Sequence, residues 1–293
     1  MSDWARLQHR ADIRSVAMVS AALALILVPQ FVALPTALLA PWVVAAVLAC
    51  CASHVVAHNH NHCVIFTGDA ANIAFNLLAT LARGHCVSDI YIAHVQNHHV
   101  EQGSERDWIR PALGGPGHPI VRLARYIVRA ALSMLRERRR LGWEAMWRLP
   151  QPFRTSMLLE KVFLPGAIVV LALHDWQAFL LHGALPWVAS LAWLVGVNYV
   201  QHEGCEPDTR HAHSRNFTGR VTNGLFFNNG FHTQHHLEPQ LHWSKLALAH
   251  QGIAESIPPS LNEASAIRYI LRRFILPTKA GSNAGPTQSP TGS

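Results

Sequence analysis

Charged side chains are scarce in this chain. Aspartate, glutamate, lysine and arginine make up 14% of its 293 residues, whereas a soluble domain carries about 25%. The predominantly apolar stretches come in two pairs, at about 15–34 and 36–57 and at about 157–174 and 184–200, and only the third contains charged side chains, those of Glu160 and Lys161. Because about 20 apolar residues cross a bilayer core, the sequence predicts four transmembrane helices in two hairpins rather than a soluble domain.

Lysine and arginine are missing from both predicted hairpin loops. All 24 of them lie within 6–14, 83–161 and 210–279, and none lies in 29–40 or 174–185. The positive-inside rule therefore predicts that both termini and the long middle segment face the cytosol. No small-residue cleavage site follows the first span to suggest a signal peptide. We expect an integral protein of a bacterial inner membrane, with its active site on the cytosolic side.

Paired cysteines and nucleic-acid motifs are also missing. The five cysteines form no Cys-x-x-Cys pair, which argues against a disulfide framework and an iron–sulfur site. The net charge of +7 suits anionic lipid headgroups or an acidic redox protein. Without a binding motif, this charge gives no reason to expect nucleic acid as a partner.

The predicted fold is all-α, with one membrane domain over residues 1–276 and a helical cytosolic cap. A Gly/Pro/Ser-rich tail at 277–293 is expected to be disordered. Residues 72–81 are apolar but too short to cross a bilayer, which indicates an interfacial or buried helix. Residues 120–140 place five arginines on one stripe of a helix. This pattern fits a helix in the membrane interface, or one packed on the cap with a solvated basic face.

Histidine is abundant instead, with 20 in the chain, and the spacing of these residues is informative. At the end of the second predicted span, His54, His58 and His62 recur every four residues, so a helix stacks them on one face. Three further clusters lie on the predicted cytosolic side, and their members are His94, His98 and His99; His232, His235 and His236; and Asn198 with His202.

Convergent imidazoles indicate a transition-metal site. Imidazole suits iron, copper, zinc or nickel, and eight or nine imidazoles are too many for one ion, so the sequence predicts two. A lone His-x-x-x-His pair is more often solvated or in a core, but several clusters on one side of a membrane are not explained in that way. The alternative of another class is a metal transporter or metal-binding membrane protein. Transport predicts polar ligands near mid-membrane, and these spans are almost wholly apolar.

These motifs resemble the histidine boxes of the membrane fatty acid desaturase superfamily. His58-Asn-His-Asn-His62-Cys-Val-Ile-Phe66 is similar to the first box, His-Asp-x-x-His-x-x-x-Phe. Residues 94–99 and 232–236 are similar to the second and third boxes. The resemblance runs from the first span to about Trp243 and includes the two pairs of spans.

The sequence departs from the desaturase pattern in two places. Asn59 replaces the acidic residue usual in the first box. The second box has three spacer residues, which some desaturases share but which is also the pattern of membrane alkane hydroxylases, and Asn198-Tyr-Val-Gln-His202-Glu-Gly resembles the NYxEHYG motif of those hydroxylases. A hydroxylase of alkyl chains therefore stays open beside a desaturase. His54 with His58 stays open as the first pair, although Phe66 falls where the box expects it only for His58 with His62.

The resemblance implies an oxidoreductase with a di-iron centre and molecular oxygen as co-substrate, most simply a desaturase that inserts a C=C bond into an acyl chain. It implies a lipid or alkyl-chain substrate and a separate electron donor, a ferredoxin or rubredoxin with its reductase. The arginines from Arg122 to Arg140 are a candidate docking surface for that donor. Asn198 would hold a metal-linked water, and the implied ligands are His58, His62, His94, His98, His99, His202, His232, His235 and His236.

Overall fold

The computed structural model describes residues 5–276, without the side chains of residues 142, 143 and 145. The predicted tail at 277–293 lies outside the described residues. Within them the regular structure is helical apart from one short ladder, in which β1 (Asn216–Phe217) pairs in parallel with β2 (Asn262–Glu263). The prediction of an all-α membrane fold is therefore confirmed.

The α-helices of the described residues are, in chain order, α1 (Ile13–Phe31), α2 (Thr36–His62), α3 (Asp69–Arg83), α4 (Val87–Ile90), α5 (His99–Glu101), α6 (Pro119–Trp147), α7 (Phe153–His174), α8 (Trp176–Phe179), α9 (Leu185–His202), α10 (Arg220–Leu225), α11 (His232–Leu237), α12 (Leu246–Gln251) and α13 (Ala266–Ile270). Three π-helical segments join or extend them, at Tyr91–His98, Leu180–Ala184 and Leu271–Ile275. Short 3₁₀ turns lie at Arg10–Asp12, Pro111–Gly114, Trp243–Lys245, Ala254–Ser256 and Pro259–Leu261.

Four helical stretches are long and apolar enough to cross a membrane, as predicted, and they are Arg10–Phe31, Thr36–His62, Phe153–His174 and Trp176–His202. Large apolar side chains such as Val44, Val162 and Val188 stay exposed along them, which suits contact with lipid. The third stretch begins four residues earlier than predicted, at Phe153. Its 22 residues rise about 1.5 Å each and so match the thickness of a bilayer core.

The turn between the third and fourth spans is much shorter than the predicted loop at 174–185. Only Asp175 interrupts the helix there, and its carboxylate accepts hydrogen bonds from the backbone N–H groups of Gln177 and Ala178, both at 3.0 Å. This cap starts the next helix at once. His182, expected in the loop, is consequently buried in a π-helical segment.

The spans pack as two contacting hairpins. Residues 32–35 join α1 to α2, these two helices pack on each other, and α2 packs along α9. The predicted helix at 72–81 is α3, which packs against α1, α2 and α7 and buries Phe75 and Ala79 among them. The sequence predicted either an interfacial or a buried helix for this segment, and in the structure it is a buried helix. We call the connecting segments at the histidine-bearing ends of α2 and α9, residues 63–152 and 203–276, the cap.

Helix α6, over the predicted segment 120–140, has a buried face and an exposed apolar face. Tyr126 and Ala130 are fully buried and pack with residues of α9. Val128 and Leu132 are more than half exposed, so part of α6 is free to contact a membrane surface. Helix α6 therefore packs against the protein, as one predicted alternative requires, and keeps an exposed apolar face, as the interfacial alternative requires.

The arginine stripe of α6 is divided between protein contacts and solvent. Arg122 forms an ion pair with Glu203 at 3.3 Å, and Arg125 donates to the backbone carbonyls of Gly114 and Pro116. By contrast, the side chains of Arg136 and Arg140 are 77% and 73% exposed. The predicted docking surface is thus available to a partner only in the second half of α6.

A buried polar contact ties the first span to the end of the domain. The Asp12 carboxylate lies 3.1 Å from Nε2 of His242 and accepts a hydrogen bond from the Trp243 indole at 3.0 Å. Asp12 is 2% exposed. His242 and Trp243 therefore serve in packing.

Candidate metal centre

The predicted histidines come from four separate parts of the chain that meet at one end of the bundle. The last turns of α2 supply His58 and His62, and the end of α9 supplies His202. The π-helical segment and the adjoining α5 supply a second set, His94, His98 and His99. Helix α11 supplies the remaining three, His232, His235 and His236.

These side chains form two groups whose ring nitrogens could each hold an ion. The first group consists of His58, His62, His94 and His235, with one nitrogen of each within 4.8 Å of the others. His99 adjoins it, since its Nε2 lies 3.0 Å from Nε2 of His94 and 3.1 Å from Nε2 of His235. All four members of the group are buried.

The second group consists of His98, His202 and His236, again with one nitrogen of each within 4.8 Å of the others. His232 adjoins it, with its Nε2 2.9 Å from that of His202 and 3.2 Å from that of His236. All nine predicted histidines thus belong to or adjoin one of two neighbouring groups.

The π-helical segment distributes one sequence cluster between both groups. In a π-helix the hydrogen bond joins residues i and i+5, so His94 and His99 share a side and their rings lie 4.5 Å apart. His98 points to the second group, where its Nε2 lies 3.2 Å from that of His202. The three-residue spacer of the second histidine box therefore sits in π-helical rather than α-helical backbone.

Oxygen acceptors orient two of these rings so that their Nε2 atoms face each other. Nδ1 of His98 donates to the Asp107 carboxylate at 3.0 Å, and Nδ1 of His202 donates to the His213 carbonyl at 3.1 Å. A neutral ring with its proton on Nδ1 presents the lone pair of Nε2 to a metal ion. The two Nε2 atoms are 3.2 Å apart, so one cation could bind both. The donor set therefore fits a bound metal ion.

Asn59, which departs from the first-box pattern, also supplies an oxygen acceptor. Its side-chain oxygen lies 3.1 Å from Nδ1 of His58, so that Nε2 of His58 also carries the lone pair. That Nε2 lies 2.8 Å from Nε2 of His94. The amide performs the orienting contact that a carboxylate could make, without adding a negative charge.

Burial keeps the cap histidines neutral. Desolvation lowers the pKa of His94, His99, His232, His235 and His236 far below the ordinary value, and neighbouring histidines lower it further. Neutral imidazole is the form that binds a metal ion. These five side chains are thus ready to bind an ion at neutral pH without first losing a proton.

Asn198 lies beside the histidines but is already hydrogen-bonded. Its amide nitrogen donates to the Ile109 carbonyl at 3.1 Å and to the Tyr126 hydroxyl at 2.8 Å. Asn198 also lines an apolar cavity of about 180 Å³ whose wall includes His58, His94 and His232. The amide oxygen is therefore the part of this side chain left to face a ligand.

His54, the alternative partner of His58 in the first pair, is not brought together with either group. Nδ1 of His54 lies 3.0 Å from the Arg83 guanidinium, and both side chains are fully buried. The arrangement favours His58 with His62. Sequence reasoning missed Asp107, which is fully buried and orients His98, because nothing in its local sequence distinguishes it from a surface acid.

Comparison with known proteins agrees with this geometry. No curated protein matches the chain. The family model described as fatty acid desaturase matches residues 10–265, which includes every span and every histidine of the two groups. The family implies an oxidoreductase of the desaturase or hydroxylase type that acts in a membrane, and the buried histidines are compatible with its metal dependence. The chain therefore belongs to the fatty acid desaturase family.

Proposed function

We propose that this protein is an oxygen-dependent di-iron oxidase that desaturates an acyl chain. One observation supports the proposal above the others, namely an apolar cavity whose wall contains His58, His94 and His232. Val55, Leu191 and most of the remaining lining are apolar, as a hydrocarbon chain requires. A cavity of this kind brings a C–H bond to the histidines and keeps water away from it.

Each histidine group and its adjoining histidine would hold one of the two irons. When bound, the irons supply the oxygen-dependent removal of hydrogen from an unactivated C–H bond. Neutral imidazoles would add no negative charge to the bound ions, so the site would keep the full positive charge of both irons. The residues proposed for the first iron are His58, His62, His94, His99 and His235, and those for the second are His98, His202, His232 and His236.

The side chains of the protein position the substrate and the ligands. The cavity walls orient the chain so that one carbon lies at the histidines, which is the main contribution a protein makes to such chemistry. Asp107 and the His213 carbonyl hold two ligand rings in one tautomer. Asn198 is proposed to hold a water molecule at the metal centre through its free amide oxygen.

Hydroxylation of an alkyl chain is the second candidate reaction. The three-residue spacer of the second box, which some desaturases share, and the Asn198–His202 motif support it, because both resemble the alkane hydroxylase pattern. The two reactions share the first hydrogen removal and differ in the second step. Loss of a second hydrogen gives an alkene, whereas transfer of oxygen to carbon gives an alcohol.

Two electrons per turnover are proposed to come from a separate ferredoxin or rubredoxin with its reductase. The exposed guanidinium groups of Arg136 and Arg140 would attract the acidic surface of such a donor. This attraction would weaken with salt.

Product analysis tests the proposed reaction. The protein is expressed in a host that lacks the activity, membranes receive acyl and alkane substrates under labelled oxygen, and products are identified by mass spectrometry. An unlabelled alkene supports desaturation, whereas label in an alcohol establishes the hydroxylase. The His98→Ala variant should give no product, and the exposed His118→Ala variant serves as the matched histidine control.

Metal analysis of the purified protein tests the cofactor. We expect about two irons per chain. One zinc ion and no iron would overturn the oxidase and favour a metal-binding or transport protein.

A further inference from the structure

A tenth histidine, His213, lies beside the second group. It belongs to none of the four histidine clusters of the sequence. In the structure its ring centroid is 5.4 Å from that of His236, which equals the separation between the rings of His94 and His98. The residue is 6% exposed. His213 is therefore part of the buried surroundings of the two groups.

Hydrogen bonds fix the loop that carries His213 against the end of α9. The backbone N–H of Arg215 donates to the Gln201 carbonyl at 2.7 Å. The His213 carbonyl accepts from Nδ1 of His202 at 3.1 Å. The segment that orients one proposed iron ligand thus also fixes the position of the His213 ring.

One ring nitrogen of His213 has no hydrogen-bond partner. Nδ1 lies 3.1 Å from the Thr209 carbonyl, which can only accept, so the neutral ring carries its proton on Nδ1 and a lone pair on Nε2. Burial lowers the pKa of His213, which favours this neutral form. Nε2 is buried, and no partner for it is found among residues 5–276. A buried polar atom without a partner costs free energy, and a metal ion would satisfy it.

The two sets of proposed iron ligands are unequal in number. Five imidazoles belong to or adjoin the first group, whereas four belong to or adjoin the second. His213 is close to all three members of the second group. Its carbonyl contacts His202, its ring adjoins that of His236, and it interacts electrostatically with His98. The extra ring therefore lies on the side with one imidazole fewer.

We infer that His213 binds the second iron through Nε2, as a tenth histidine ligand. This inference rests on the proposed function and goes beyond the nine ligands that the resemblance implies. Neutral imidazole is a good ligand for iron. A bond to Nε2 would give both irons the same number of imidazoles and would satisfy the unpartnered nitrogen.

Orientation of His202 does not by itself account for the His213 side chain. That contact uses the backbone carbonyl, which any residue at this position would supply. The ring makes its own hydrogen bond to Thr209 and keeps its second nitrogen buried. A substitution at position 213 therefore removes the ring while the carbonyl that holds His202 stays.

Mössbauer spectroscopy of the iron-loaded protein tests the inference. In His213→Ala we expect the spectrum of the second iron, identified as the one lost in His98→Ala, to change while that of the first iron stays the same. The second iron should also bind about tenfold or more weakly, since loss of even a hydrogen-bond partner of a metal ligand costs about 10- to 100-fold in affinity. Iron retained against increasing concentrations of a chelator measures this loss.

His211→Ala is the matched control, because His211 lies in the same loop and belongs to neither histidine group. Its spectrum and iron retention should equal those of the unaltered protein. Free imidazole added to His213→Gly should restore the spectrum of the second iron, since it can fill the space that the ring leaves. An unchanged second iron in His213→Ala, or equal changes at both irons, would overturn the inference. Failure of imidazole to restore the spectrum would also overturn it and would assign the ring to packing.

Product analysis separates this inference from the proposed function. Two bound irons, one of them sensitive to His213→Ala, without product from any substrate would contradict the proposed reaction alone. An active di-iron protein whose second iron is unaffected by His213→Ala would contradict the inference alone. The spectra and the iron retention do not depend on turnover, so the two failures are distinguishable.

Discussion

At the scale of single residues, Asp107 is the acidic side chain that acts on the histidine groups. Its carboxylate accepts from Nδ1 of His98 and also from the backbone N–H groups of Gly103 and Ile109, each at 3.0 Å. The loop and the ring are therefore fixed by one buried anion. Partners of this kind orient metal ligands and raise their basicity.

Asp107→Asn should reduce iron affinity by about 10- to 100-fold, the usual effect of losing such a partner. The amide can turn its NH₂ group toward His98, which moves the ring proton to Nε2 and blocks the ligand position. Iron per chain after dialysis against a chelator measures the loss. Asp12→Asn removes another buried carboxylate beside a histidine, His242, and should retain iron. Equal iron retention in both variants would contradict the role of Asp107.

His85 makes stability depend on pH. Burial lowers its pKa to about 4, with Arg83 adding to the effect and Asp89 opposing it. In the unfolded chain the pKa is about 6.5. Below that pH the unfolded state takes up a proton that the folded state refuses, so the free energy of unfolding falls, by up to about 1.4 kcal/mol per pH unit until pH approaches 4.

Thermal unfolding between pH 7.5 and 5 measures this effect. His85→Gln should lose less stability than the unaltered protein as the pH falls, because its side chain does not titrate. The two proteins are compared at each pH, so the other histidines contribute equally. Equal losses of stability in the two proteins as the pH falls would show that His85 does not contribute to the pH dependence.

At the scale of elements, the π-helical segment decides which histidine serves which group. An α-helix over these residues would place His94 and His98 on one face. The structure instead separates neighbours, with His99 beside the first group and His98 in the second. Helix α11 divides its histidines in the same way, since His235 belongs to the first group and His236 to the second.

This separation predicts that His98→Ala and His99→Ala deplete different ions. Each variant should retain about one iron per chain, and the Mössbauer spectra of the remaining iron should differ between them. The double variant should retain none. Identical spectra for the two single variants would contradict the assignment of adjacent residues to separate positions.

Hydropathy was sufficient to predict the elements but not their ends. The four spans follow from apolar length alone. The early start at Phe153 was missed because the charged Arg154 precedes the apolar run that begins at Met157. Glu160, inside the third span, is buried and accepts hydrogen bonds from Thr80 and the Ser88 backbone. The loop at 174–185 was overestimated because a single capping carboxylate, Asp175, is enough to begin a helix.

At the scale of the whole molecule, the orientation in the membrane stays a prediction. The 24 lysines and arginines leave residues 15–82 and 162–209 free of positive side chains, and both hairpin turns lie in these stretches. We therefore propose that the turns face outward and that the cap with its histidines faces the cytosol.

Labelling of introduced cysteines with a membrane-impermeant thiol reagent checks this orientation. In intact cells Ala33→Cys, in the exposed first turn, should react, whereas Ser104→Cys, in an exposed loop of the cap, should react only after permeabilisation. The unaltered protein, with its five free cysteines, gives the background. The opposite pattern would place the histidines outside.

The nine histidines could be predicted because their spacing and their resemblance to the histidine boxes are local properties of the sequence. The hydrogen-bond partners of these histidines could not be predicted. Asp107 with His98, and the His213 carbonyl with His202, become recognisable only when the chain is folded. The apolar cavity is likewise a product of packing among α2, α6 and α9, and no periodicity within one helix predicts it.

The contact of Asp12 with His242 and Trp243 joins residues 230 and 231 positions apart in the chain, and this has a consequence for biogenesis. During synthesis Asp12, at the start of the first span, cannot contact His242 and Trp243 until nearly the whole domain has left the ribosome. His232, His235 and His236 emerge only shortly before that partner. A nascent chain therefore cannot complete either histidine group prematurely, and metal loading becomes a late event that follows closure of the domain.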